Sequence, residues 1–256
     1  MTATWDPVVY RSFAGERGRP YVDLLARVGA ADPAYVVDLG CGPGDLTATL
    51  AERWPRSTVH GVDASEQMID AARATARLSF ERADLRTWQP DRPVDVLLSN
   101  ATLQWVPRHL DLLPQLVGWL APSGWLAVQV PANFGEPSHR ILHELADDPR
   151  FRAFAAQVER PSSHDASTYF RALRRLGLDV DAWETTYLHV LDGPDPVLRW
   201  ISGTGARPVL QALPDGLRAE FEQEYGAALR AAYPEQNGCV VMPFRRVFFV
   251  AHKAAS

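Results

Sequence analysis

The 256-residue sequence predicts an α/β fold built on a doubly wound, mostly parallel sheet. Three observations predict it: short apolar runs alternate with helix-patterned segments through the first half, a Gly-x-Gly-x-Gly turn follows the first run, and acidic or polar residues recur just after the later ones. Ahead of the first strand, Pro7 to Val28 carries Val9, Phe13, Tyr21, Leu24, Leu25 and Val28 at helical intervals, interrupted near Gly15 and Gly18. This stretch reads as N-terminal cap helices within residues 1–33. Tyr35 to Leu39 is the first strand, and a helix follows from Leu46 to Trp54, where Pro55 stops it. Thr58 to Val62 is the second strand; Ser65 then caps a helix over Glu66 to Ala76, with Met68, Ile69 and Ala72 on one face. Strands at Leu78 to Arg82, Val94 to Leu98 and Trp125 to Val130, with a helix from His109 to Leu120 before the last, complete the order βαβαββαβ.

Beyond residue 132 the alternation stops. Helical patterns occupy Ser138 to Asp147, Ser167 to Leu176, Pro196 to Ile201 and Asp215 to Ala232, interrupted by strand-like runs at Val180 to Val190 and Val240 to Ala251. The expected organisation is one domain: the cap, a ligand-binding core over residues 34–132, and a helical insertion or lid with two closing strands over 133–256.

Composition narrows the function. Lys and Arg number 26 against 31 Asp and Glu, a formal charge of -5, with 46% hydrophobic and 22% charged residues. That is a globular balance without the basic stripe a nucleic acid requires. Cys41 and Cys239 are too far apart for a zinc motif or a disulfide framework, so no metal is expected. Asp6, Arg11, Glu16 and Arg17 interrupt any signal-like run, and no stretch approaches the roughly 18 apolar residues of a membrane span. The expectation is a cytoplasmic protein that binds no membrane; its oligomeric state is not legible. Lys253 is the only lysine, so any carboxylate clamp must be made of arginine.

Ligands of such sheets bind outside the carboxyl ends of the strands. The first strand ends in Asp38-Leu39-Gly40-Cys41-Gly42-Pro43-Gly44, glycines that let a ligand approach backbone amides at a helix start. Counting on from Gly40, Asp45 stands where a dinucleotide fingerprint needs its third glycine, against a pyrophosphate ligand, while Asp38 is placed to attract a cation. Asp63, followed by Ala64, lies about 20 residues on, where a carboxylate accepts both ribose hydroxyls. After the third strand, Asp84 can accept from an exocyclic adenine amine, with Leu85 and Trp88 against the ring. After the fourth, Asn100-Ala101-Thr102-Leu103-Gln104-Trp105 projects Asn100, Gln104 and Trp105 over the reactive end of the ligand.

In this joint order the sequence resembles the class I S-adenosylmethionine-dependent methyltransferases, whose Rossmann-like sheet holds the methionine part at the glycine turn, the ribose at the second strand and adenine at the third. The resemblance extends to the trans-aconitate 2-methyltransferases through Trp5-Asp6-Pro7, Tyr10, Phe13, Glu16 to Pro20, Asp38 to Gly44, Asn100 to Trp105, Trp183, Thr185 to Tyr187, His189, Trp200 and Thr204 to Pro208. It runs from Trp5 to about Ala251 and is weakest between Asp147 and Asp165.

This resemblance implies S-adenosylmethionine as cofactor and esterification of a carboxylate of trans-aconitate. A carboxylate is ionised at neutral pH and needs no general base, so Asn100, Gln104 and Trp105 would act by positioning. Tyr10 and Arg19 are expected on the cofactor side. Arg207, Arg246, Arg17, Tyr187 and His189 are expected on the substrate side, because an arginine fork binds a carboxylate through two charge-assisted hydrogen bonds. Three alternatives stay open: the same fold and cofactor with another acid, phenol or amine as acceptor; a protein that binds the cofactor without transfer; and a nicotinamide-dependent oxidoreductase, against which Asp45 stands.

Overall fold

The protein is described here by a computed structural model of residues 14–255. Helix α1 (Ala14–Ala26) precedes seven strands: β1 (Tyr35–Leu39), β2 (Thr58–Asp63), β3 (Leu78–Arg82), β4 (Val94–Asn100), β5 (Leu120–Pro131), β6 (Asp179–Leu191) and β7 (Val240–His252). They form one sheet in the order β3-β2-β1-β4-β5-β7-β6, with β1 to β5 mutually parallel and β7 antiparallel to β5. The order reverses between β1 and β4, which opens a crevice at their carboxyl ends. β1 is buried at every residue, as expected of a central strand covered on both faces.

The expected order of the first five strands and their helices is present. Helix α2 (Asp45–Arg53) follows β1, α3 (Glu66–Ala71) follows β2, and α4 (Leu113–Gly118) precedes β5. Register decides what shares a face. Asp38 pairs with Leu98, Asn100 with Gln129, Gln129 with Phe248 and Pro131 with Arg246. Alternation therefore puts Asp38, Asn100, Gln129 and Arg246 on one face of the sheet. Helix α1 packs against β5, and Tyr21 Oη donates to Leu46 O at 3.0 Å. On the other face Ser99 Oγ donates to Leu39 O, and Tyr169 of α7 (Ala166–Arg175) lies over Phe249. His109 Nδ1 faces Val106 O, which leaves Nε2 to accept from Tyr169 Oη at 2.6 Å.

Several elements differ from the sequence pattern. Within the described part the cap is a single helix running through Gly15, Gly18 and Pro20, because Tyr21, Leu24 and Leu25 are buried and packing outweighs propensity. Helix α3 ends at Ala71 rather than Ala76: Ala72 is extended and its Cβ sits 3.3 Å from where a Cβ on Gly44 would be, so the chain turns beneath the glycine loop. The helix expected over His109 to Leu120 is a 3-10 turn (His109–Leu112) followed by α4, with Pro114 in the first turn of α4 where its missing N–H costs nothing. β5 begins at Leu120, but its ladder with β4 jumps from Val94↔Leu120 to Val96↔Trp125, leaving Pro122, Ser123 (φ 60°) and Gly124 outside the regular pairing.

The described chain divides into two compact units. One holds the chain up to Pro131, Ser163–Thr185 and the part from Arg246 on; the other holds Ala132–Ser162 and Thr186–Arg245. The second unit contains α5 (Pro137–Ala146), α6 (Pro149–Ala155), α8 (Pro196–Ser202), α9 (Arg207–Ala212) and α10 (Asp215–Ala232). Its core includes Phe151 edge-on to Phe221, and Tyr225 Oη donating to Ser138 O across α10 and α5. Helices α6 and α9 have no counterpart in the sequence reading: each is at most seven residues long and carries a proline in its first turn, too short for a periodic signal.

Candidate active site

The turn after β1 is held from both sides. Gly40 and Cys41 donate their amides to Val62 O at 2.7 and 3.1 Å, and Thr102 Oγ1 donates to Gly40 O at 3.4 Å. Gly40 has φ 77°, and a Cβ there would lie 1.9 Å from Thr102 Oγ1. Gly42 also has positive φ (55°), but a Cβ there would meet nothing within 4 Å. Packing accounts for the first glycine; open space beside the second is where a ligand can press against the backbone. Gly44, φ 80°, caps α2 and packs on Phe80.

Two carboxylates flank this turn. Asp38 is 3% exposed and accepts from Thr47 Oγ1 at 2.7 Å. Burial pushes its pKa up to about 7, the Thr47 hydrogen bond opposing and the neighbouring Asp63 reinforcing the rise. Asp63 Oδ2 accepts from the Gly42 amide at 2.9 Å and Oδ1 from the Ser65 amide at 2.8 Å; burial nonetheless raises its pKa. Each Asp63 oxygen keeps a lone pair for a hydroxyl. Among the described residues no Lys or Arg forms an ion pair with Asp38 or Asp63. Two acids without a basic partner suit a ligand with a cationic group and vicinal hydroxyls.

The third strand end is more local than expected. Asp84 accepts from Arg86 Nε at 3.0 Å and caps the Arg86 amide at 2.9 Å, and those hydrogen bonds hold its carboxyl below the usual range. Trp88 does not face a ligand ring: its indole N–H donates to Glu81 Oε2 at 2.9 Å, and it stacks on His60 and abuts Trp119 edge-on. Leu85 is half-buried and Ala64 exposed.

At the end of β4, Ala101 has φ 55°, a left-handed conformation that turns the chain sharply. Gln104 is buried, and its Nε2 donates to Ala101 O at 2.6 Å. Gln104 Oε1 and Asn100 Oδ1 are buried and have no hydrogen-bond partner among the described residues. Trp105 is half-buried. Arg246, 5% exposed, donates from Nη1 to Gln129 Oε1 at 3.1 Å. The sequence reading missed Gln129, whose signal was available: a polar residue inside the apolar run Leu126-Ala127-Val128-Gln129-Val130.

The remaining expected residues are dispersed. Arg19 is exposed on α1; Tyr10 and the Arg17 side chain lie outside the described residues. In the second unit Arg207 opens α9, while Tyr187 and His189 are core residues, His189 fully buried against Trp200 and Phe244. Among the described residues no group of three or more His, Cys, Asp or Glu could hold a metal ion, and no helix is long and apolar enough to cross a membrane.

Comparison with known proteins decides the family. A methyltransferase-domain family model matches residues 36–124. Trans-aconitate 2-methyltransferase of Streptomyces avermitilis is 50% identical over 98% of this chain and 98% of its own length, and that of Mycolicibacterium gilvum is 48% identical over 96% and 98%. This chain belongs to the trans-aconitate 2-methyltransferases. It is therefore an enzyme of the class I S-adenosylmethionine-dependent methyltransferases. Solved structures agree on the fold: geranyl diphosphate C-methyltransferase from Streptomyces coelicolor superposes with TM-score 0.55 at 18% identity, covering 96% of this chain and 82% of that one. The YcgJ protein of Bacillus subtilis gives TM-score 0.60 at 13% identity, covering 92% and 98%. The domain match ends at Gly124, so Gln129, Arg207 and Arg246 of this methyltransferase lie in the part that only its close relatives share.

Proposed function

We propose that this methyltransferase esterifies one carboxylate of trans-aconitate, with the turn from Gly40 to Gly44 and Asp38 holding the methionine part of S-adenosylmethionine, Asp63 its ribose, and Ala64, Asp84 and Leu85 its adenine. The fit rests on the open face of Gly42 and the two acids without a basic partner. When bound, S-adenosylmethionine supplies a sulfonium methyl as the electrophile.

One observation carries the choice of acceptor. The polar side chains at the carboxyl ends of β4 and β5 and beside them on β7 are Asn100, Gln104, Gln129 and Arg246, three amides and a guanidinium. None can take a proton at neutral pH. An acceptor served by such groups must arrive deprotonated, which a carboxylate with a pKa near 4 does and an amine or phenol does not. Arg246 then binds the acid, and Asn100, Gln104 and Trp105 orient the attacking oxygen and exclude water.

The test is product analysis after incubation with S-adenosylmethionine and trans-aconitate. A base-labile monomethyl ester is expected, formed in step with S-adenosylhomocysteine. No ester from protein that binds the cofactor would overturn the substrate assignment.

A further inference from the structure

We propose that Gln129 is a substrate-binding residue: its buried Nε2 amide and the Arg246 guanidinium together form the subsite for a carboxylate of the acceptor. The proposal rests on the functional reading above and deepens it.

Gln129 is fully buried, between Val128 and Val130. Its amide orientation is determined by its neighbour. A guanidinium has only donors, so the Gln129 atom facing Arg246 Nη1 at 3.1 Å must be Oε1. The other end is then Nε2, carrying two N–H groups, and it has no hydrogen-bond partner among the described residues. Buried donors without partners are rare, and each calls for an explanation. Purely structural support of Arg246 would use Oε1 alone; an apolar strand position with an unused N–H pair is explained by an acceptor that arrives with a ligand.

The sheet identifies that acceptor. Along the face shared by Asp38, Asn100, Gln129 and Arg246, the strands run in the order β1, β4, β5, β7. Asp38 on β1 and Asn100 Oδ1 on β4 are acceptors; Gln129 Nε2 on β5 and Arg246 on β7 are donors. With strands about 4.8 Å apart, the polarity of this edge reverses between β4 and β5. A cationic group is favoured over β1 and β4, and an anion over β5 and β7. A carboxylate bound there accepts the Gln129 N–H groups and the remaining guanidinium donors, next to the position where a sulfonium would be stabilised.

Two substitutions separate binding from mere support. Gln129→Met keeps the volume and removes the amide. Gln129→Glu keeps an oxygen for Arg246, strengthening that contact, but replaces the donor with a negative charge. Binding of trans-aconitate to enzyme preloaded with S-adenosylhomocysteine is measured by calorimetry, with KM, kcat and the melting temperature recorded for each variant. The expected result is weaker trans-aconitate binding, by about tenfold for Gln129→Met and about a hundredfold for Gln129→Glu, appearing in KM more than in kcat, with S-adenosylhomocysteine affinity unchanged. Gln129→Glu that binds trans-aconitate as wild type does, while folding normally, overturns the donor assignment. Should Gln129→Met fail to fold, the Glu variant decides alone. Wild-type enzyme that holds S-adenosylhomocysteine yet binds no trans-aconitate overturns the functional reading instead, and this subsite with it.

Discussion

Asp38→Asn tests the electrostatics of the cofactor side in a way that separates stability from function. In the folded chain Asp38 is 3% exposed and its pKa is raised from 3.8 to about 7, chiefly by burial. Between these values the folded protein binds a proton that the unfolded chain has lost, so stability falls as pH rises through the window. The penalty is absent below about pH 4 and complete above about pH 7. At about 1.4 kcal/mol per pH unit, a rise of a little over three units amounts to about 4 kcal/mol at most. Asn carries no charge to desolvate, and its oxygen can still accept from Thr47. Cofactor-free Asp38→Asn should therefore match the wild type near pH 4 and gain on it progressively up to pH 7, by about 2 to 4 kcal/mol. Urea unfolding of both proteins at half-unit intervals from pH 4 to 8 measures the difference. A gap that stays constant over that range would refute the reasoning, because it would mean Asp38 titrates as an ordinary carboxylate. The same substitution should weaken S-adenosylmethionine binding by removing the charge that faces its cationic part. In the wild type, cofactor binding near pH 6 should release a proton, detected as a dependence of the calorimetric heat on buffer ionisation enthalpy.

Other consequences follow from the glycine turn, the ribose acid and the second unit. Gly40→Ala should cost about 3 kcal/mol of stability, since the new Cβ lies 1.9 Å from Thr102 Oγ1 at φ 77°. Gly42→Ala, which meets no atom within 4 Å, should cost only about 1 kcal/mol yet weaken cofactor binding; equal stability losses in urea would contradict this contrast. Asp63→Asn leaves one of the Gly42 and Ser65 amides facing an NH2 group and should lower cofactor affinity by about tenfold or more, measured by calorimetry, with unchanged affinity placing the ribose elsewhere. Arg207→Ala should raise KM for trans-aconitate while cofactor affinity stays near wild type; an equal loss for both ligands would assign Arg207 to the cofactor.

The parallel core was legible because its strands are buried on both faces and read as apolar runs, from Val36-Val37 on β1 to Ala127-Val128 on β5. The acids at Asp38 and Asp63 were legible for the opposite reason: each interrupts such a pattern where a strand ends. What the sequence hid depends on partners far along the chain. Trp88 looked like a ligand-facing ring until pairing of β2 with β3 put His60 beneath it and Glu81 at its indole nitrogen. Asp84 looked free until the arginine two residues later turned back onto it. Gln129 passed as a strand residue because its role follows from Arg246, 117 positions away and adjacent only through antiparallel pairing of β5 with β7. His189 matched the family but lies in an aromatic core, where a neutral ring packs without a catalytic task.

The central claim is that an anion-binding edge without a proton acceptor selects an acceptor already ionised. The most direct measurement is a set of specificity constants with S-adenosylmethionine, at one pH near 7, for trans-aconitate, a monocarboxylic acid, a catechol and a primary amine. The account predicts transfer to trans-aconitate, a much lower value for the monocarboxylate, which leaves the Arg246 and Gln129 subsite unfilled, and no transfer to the catechol or amine. Preferred methylation of the catechol or the amine would contradict it.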